Sequence, residues 1–182
     1  RPADMALAKR ITLRASDLSA GWTRQGPSTQ PEELPRCPGA DLDFSRFTIT
    51  GKAGSHFTRG TSVVESFVEV FESRADATGD YRKSTQPKLL ACLGPELRRQ
   101  ARMSGIDMRL ESARFAGRRP VGDRAFEYRI VMSVATGTRR TRIYVDLIGF
   151  QRGRTLVGTY FSGTLPVPGR LAVARSIAGR AR

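Results

Sequence analysis

The chain has 182 residues with 39% apolar content, enough for one buried core and too much for a wholly disordered polymer. The mean hydropathy of -0.36 is that of a soluble protein, and no run approaches the roughly 18 apolar residues of a membrane-spanning helix. The formal charge is +14 and sits mostly in the second half, where residues 92–182 hold 18 Lys and Arg against 6 Asp and Glu. Only Lys9, Lys52, Lys83 and Lys88 are lysines, so the charge is carried by guanidinium groups. Such a surface attracts anionic lipid or acidic polymers. The chain begins at Arg1, and an upstream leader or lipid anchor is an expectation that these residues do not themselves carry.

Residues 1–10 show little pattern and read as a loose lead-in or a short helix. Ile11 to Trp22 opens as a short strand or helical turn and closes on Gly21-Trp22, with the indole expected against the core. Thr23 to Gly39 is polar and holds Pro27, Pro31, Pro35 and Pro38, the composition of a loop, with Cys37 near its end. Phe47 to Thr50 is a short strand, and Gly51 to Gly60 reads as an irregular connection carrying the single His56. In Thr61 to Phe71, Val64, Ser66, Val68 and Val70 alternate with Glu65, Phe67 and Glu69, which predicts a strand with apolar residues on both faces.

From Ala75 to Cys92 the period changes to three and four, predicting a helix capped by Ser73 or Asp76 and stopped at Gly94-Pro95. A second short helix is expected over Glu96 to Met103. Cys37 and Cys92 lie far apart in sequence, with no CxxC pair and no metal-ligand spacing. They read either as a disulfide in an oxidising compartment or as two separate thiols in a reducing one, and the disulfide is the reading carried forward. Two thiols and one His do not complete a zinc site, and no metal or cofactor is expected.

The remaining chain is mainly sheet. Met108 to Ser112 alternates and Gly117 to Gly122 turns. Phe126, Tyr128, Ile130, Met132 and Val134 keep a two-residue period, Ile143, Val145 and Leu147 continue it, and Leu156 to Ser162 returns after a turn at Gly153. Leu171, Ala174 and Ile177 mark a final helix. The expected fold class is α+β: one domain over residues 1–182, mainly antiparallel sheet with a C-terminal meander, one face covered by helices.

Several of these segments together resemble a known group. They are Asp17-Leu18-Ser19-Ala20-Gly21-Trp22, the looped Cys37, the strand ending at Phe71, the helix with Cys92-Leu93, and Tyr144-Val145-Asp146-Leu147 before the Gly153 turn. Over residues 11–178 the chain resembles actinobacterial-type secreted or lipoprotein domains, including the extracellular sensor domain of PknH-type receptor kinases. More distantly it resembles the PsbP-like fold. The resemblance implies an extracytoplasmic location and a ligand-sensing or accessory role, and it brings no catalytic motif. The kinase sensor domain has more than one disulfide, whereas this chain has cysteines for one.

No GxSxG, HExxH, phosphate-binding or dinucleotide-binding motif is present. Ser55-His56 lacks a visible acidic partner, and His56 reads as a surface residue. Cys92 reads as a disulfide half-cystine rather than a nucleophile. Glu65 and Glu69, about 13 Å apart on a strand, read as a solvated face. Trp22, Phe67, Phe126, Tyr128 and Tyr160 are the candidate lining of a ligand pocket between sheet and helices. Arg139, Arg140, Arg142, Arg152 and Arg154 are a candidate basic patch around the meander's hairpin ends, with Tyr144 nearby. The leading expectation is a non-enzymatic ligand-binding or sensor-like domain for a small molecule, lipid or cell-envelope component. An interaction domain using its Arg-rich face on a protein or anionic polymer is the alternative, and a small enzyme of unrecognised chemistry the third. Nucleic acid is not the expected partner, because charge comes without a recognition motif.

Overall fold

The computed structural model describes residues 1–26 and 37–181. Most of the segment expected as a Pro-rich loop, residues 27–36, therefore lies outside the described residues. Of the two readings for the first ten residues the helix holds: α1 spans Pro2–Ile11. Pro2 starts it, Asp4 lies in its first turn and Lys9 and Arg10 in its last, an order that suits the helix dipole. It buries Asp4, Ala8 and Ile11 along one stripe. A 3-10 turn over Ala15–Asp17 and the short strand β1, Thr23–Gln25, follow.

β2 runs unbroken over Ile49–Arg59, so the connection expected from Gly51 to Gly60 is a strand. The small residues that disguised it have a packing reason. A Cβ on Gly51 would lie 2.4 Å from the backbone of Asp4, because α1 presses its main chain directly onto this strand. β3, Ser62–Phe71, has the predicted alternation, with Val64, Ser66, Val68 and Val70 buried on one side.

The single helix expected over residues 75–92 is two. α2 spans Arg74–Ser84, capped by Ser73, whose hydroxyl accepts from the Asp76 amide at 3.0 Å. α3 spans Pro87–Met103. The break falls at Pro87, which opens α3, while Gly94-Pro95 passes through the helix interior instead of stopping it. Gly94 is retained by close packing, since its Cβ would sit 2.6 Å from Leu110 Cδ2. Cys92 is thus inside a helix, bonded to Cys37 with the Cα atoms 5.5 Å apart.

Four long strands complete the sheet: β4 Met108–Arg118, β5 Arg124–Thr136, β6 Arg139–Arg152 and β7 Thr155–Gly163. The helix α4 follows over Arg170–Arg180. All pairings are antiparallel, in the order β1-β2-β3-β7-β6-β5-β4. Two meanders, one from each half of the chain, are joined edge to edge where β7 pairs with β3.

The expected helical cover of one face is supplied by α1 and α4, while α2 and α3 pack on the other, so both faces carry helices. Under α1 and α4 lies the main core, with Ile11, Val68, Phe150, Phe161 and Ile177 all fully buried. Three buried hydroxyls tie α1 to this face: Thr12, Ser55 and Ser66 lie 2.8 to 3.1 Å from one another, and Ser66 Oγ also accepts the Leu13 amide. Arg180 of α4 donates to both carboxylate oxygens of Asp17 at 2.7 Å, which joins the two ends of the chain. Burial pushes the Asp17 carboxyl up, but hydrogen bonds from Arg180, Ser176 and the Arg14 amide outweigh it and hold the group below its usual range.

A candidate binding cleft between the sheet and helices α2 and α3

On the α2/α3 side the sheet register places Phe67, Gly158, Gly149 and Phe126 in one row across four strands. Two glycines at the centre of a sheet let neighbouring side chains lie directly on the backbone, because neither supplies a side chain of its own. The flanking rings lie on them in this way. A Cβ on Gly158 would lie 1.8 Å from Phe67 Cζ, and one on Gly149 would lie 2.3 Å from Phe126 Cε1. Phe126 is fixed in turn by an edge contact with Tyr81 of α2, at 5.9 Å between centroids. The result is a mostly apolar cleft of about 250 Å³ with Leu89 and Leu93 of α3 on its far wall. That is just below the usual range of roughly 300–1,000 Å³ for small-molecule sites.

A few polar groups also line the cleft. Asp80 of α2 is 8% exposed and accepts a hydrogen bond from the Ser84 hydroxyl at 3.1 Å. Burial, reinforced by the charge of Glu69, raises its carboxyl to about 6. Glu69 of β3 also lines the cleft and pairs with Lys52 at 2.8 Å. Tyr128 contributes its ring, and burial raises its phenol above the usual value, so it remains a neutral donor.

The outer wall is held by the segment that follows Cys37. Lys83 of α2 is 9% exposed, pairs with Asp41 at 2.6 Å and donates to the Asp43 carbonyl. The Gln86 side chain exchanges two hydrogen bonds with the backbone of Asp41. Phe47 lies against Gly79, where a Cβ would be 2.5 Å from the ring. Together with the disulfide to α3, these contacts bind both helices of the wall to one strap.

The structure brings Phe67, Phe126 and Tyr128 into the cleft lining, and Tyr160 into the apolar cluster beside it. Trp22 is elsewhere. It packs at the margin of the opposite core under the guanidinium of Arg59, 4.9 Å from the ring centroid. The residues that sequence reasoning missed are Gly149, Gly158 and Asp80.

The five arginines expected as one patch lie at opposite ends of β6. Arg139, Arg140 and Arg142 belong to the β5–β6 end, and Arg152 and Arg154 to the β6–β7 end, about 33 Å away at the rise of a strand. Most are engaged locally: Arg140 with Asp107 at 2.6 Å, Arg142 with Glu111 at 2.8 Å, Arg152 with the Ala178 carbonyl at 2.9 Å and Arg154 with buried Asp4. Ser55 and His56 point to opposite faces. The imidazole pairs instead with Glu65 at 3.2 Å, and its Nε2 is buried with no hydrogen-bond partner among the described residues. A larger hollow of about 640 Å³ beside Arg46 and the start of α2 opens broadly to solvent and encloses little.

No family model matches the chain, and no curated protein matches it in sequence. Among solved structures, the fold is similar to that of the extracellular domain of PknH from Mycobacterium tuberculosis, with a TM-score of 0.58 and 14% identity. The match covers 97% of this chain and 93% of that one. At this identity the likeness is one of fold alone.

Proposed function

We propose that this chain is a non-enzymatic, extracytoplasmic binding domain that takes a small, mostly apolar ligand in the cleft under α2 and α3. The observation that carries the reading is the mostly apolar cleft of about 250 Å³ itself, floored by Gly149 facing Gly158 with the Phe67 and Phe126 rings laid against them. A hollow lined by Phe67, Phe126 and Leu93, together with Asp80 and Glu69, suits a ring or short acyl segment bearing a hydrogen-bond donor. The ligand is a small molecule, a lipid or a cell-envelope component of that chemistry. The disulfide and the likeness of fold to an extracellular domain support the compartment.

Titration with N-phenyl-1-naphthylamine, a neutral apolar fluorophore, tests the site. Saturable one-to-one binding is expected, lost in Gly158→Leu, whose side chain fills the floor. A signal that survives this substitution in a folded variant places the binding elsewhere and removes the reading.

A further inference from the structure

The sheet face that carries α1 and α4 is covered only in part. Over β4, β5 and the first half of β6 it is open, and the register sets three rows across these strands. The first is Arg109, Ser133 and Arg142; the second Ser112, Val131 and Tyr144; the third Arg114, Arg129 and Asp146. Rows two residues apart are about 7 Å from each other, so two arginine rows about 13 Å apart frame a central row with an aromatic ring. Arg109, Arg114 and Arg142 are exposed, and Val131 and Tyr144 are half-buried.

The carboxylates of this region do not balance the arginines. Glu127, 1% exposed, is paired with Arg119 and lies 3.0 Å from Arg129, and Asp146 lies 2.8 Å from Arg129 and 3.1 Å from Arg170. These buried acids hold their guanidinium partners in place. Glu111 pairs with Arg142 at 2.8 Å, and the Tyr144 side chain also hydrogen-bonds that guanidinium. Arg109 and Arg114 have no ion pair among the described residues. Arg109 and Arg114 thus carry charge without an acidic partner, on the half of the chain that holds most of the positive charge.

From this charge pattern we infer that the β4–β6 face is a binding track for an acidic polysaccharide. Its carboxylate, sulfate or phosphate groups lie on the two arginine rows, and a sugar ring rests on Tyr144 between them. A track without protruding apolar side chains suits a hydrated polymer rather than a lipid surface. A single half-buried ring does not provide the succession of stacking platforms that single-stranded nucleic acid uses. The track is independent of the cleft, which opens on the other side of the sheet.

Binding of heparin, a sulfated polysaccharide, to the full chain tests the inference. The double variant Arg109→Ala with Arg114→Ala is compared with Arg10→Ala plus Arg24→Ala, exposed positions on α1 and β1 that change the net charge equally. The first pair is expected to weaken heparin binding at least tenfold and to lower the salt slope by about two, and the second to change affinity less than twofold. Tyr144→Leu is expected to weaken binding with the salt slope unchanged, and Gly158→Leu to leave it intact. Equal losses from the two arginine pairs would reduce the effect to net charge and overturn the proposal. So would tighter binding to a single-stranded oligonucleotide or to phosphatidylglycerol vesicles than to heparin.

Discussion

The two faces of this sheet are built from the same strands, yet they solve the packing problem differently. On the α1/α4 face, side chains such as Phe57, Val64, Phe150 and Phe161 interlock with Ile11 and Ile177, and the helix backbone of α1 descends onto Gly51. On the α2/α3 face, glycines stand where large side chains would meet, Phe67 is 44% exposed, and Asp80 takes a place where an apolar residue would pack better. Both faces use glycine for close approach, but at Gly51 the space is occupied by a helix and at Gly149 and Gly158 by the edges of two rings. Whether a glycine makes a core or a cleft depends on what fills the volume it leaves.

The contrast is sharpest where one aromatic ring is truncated on each side. Phe161→Ala, in the sealed core, is expected to cost about 3–5 kcal/mol in urea unfolding. Opening the strap by Cys37→Ser is expected to cost about 2–4 kcal/mol, and comparison with the reduced native protein isolates the link from the substitution. Gly149→Ala forces a methyl against Phe126, which is itself held by Tyr81, and is expected to cost about 1–3 kcal/mol together with fluorophore binding.

Asp80 gives the cleft face a pH signature. An unfolded aspartate titrates near 3.8 and this one at about 6, so between those values the unfolded chain releases a proton that the folded chain retains. Stability therefore falls as pH rises through that window. The expected loss is about 1–2 kcal/mol after discounting for solvent in the cleft. Unfolding of Asp80→Asn as a function of pH should lack this slope. The smallest expected effect belongs to Phe67→Ala, below about 1 kcal/mol in stability because the ring is half exposed, yet with clear loss of fluorophore binding. A loss near that of Phe161→Ala would show that the cleft is packed as tightly as the core.

The strands were legible where one face is continuously apolar. The period of two from Phe126 to Val134 and from Ile143 to Leu147 locates β5 and β6 and orients them correctly, since Tyr128, Ile130 and Val145 share one cluster. β2 was not legible, because the residues that let α1 approach it are those that mark loops. The helix break was misplaced because Pro95 is the stronger local signal, while Pro87 sits at a favourable first position. In the cleft, Phe67, Phe126 and Tyr128 were readable as inward aromatics, but no local pattern shows that two glycines 9 residues apart face each other. The arginines were misgrouped for the converse reason: hairpin ends that are close in sequence are far apart along a long strand.

The junction of β3 with β7 also determines how the chain can assemble. Its ladder connects residues from 85 positions apart, Val70 with Thr155, to 99 positions apart, Val63 with Ser162, whereas the other long ladders are hairpins between successive strands. Loop closure makes such a pairing slow compared with its neighbours. Each meander can thus form early, with one raw edge exposed, and the two edges meet last. The floor of the cleft and the core beneath α1 both lie across that closing edge, so neither exists in a chain whose halves have folded but not yet met.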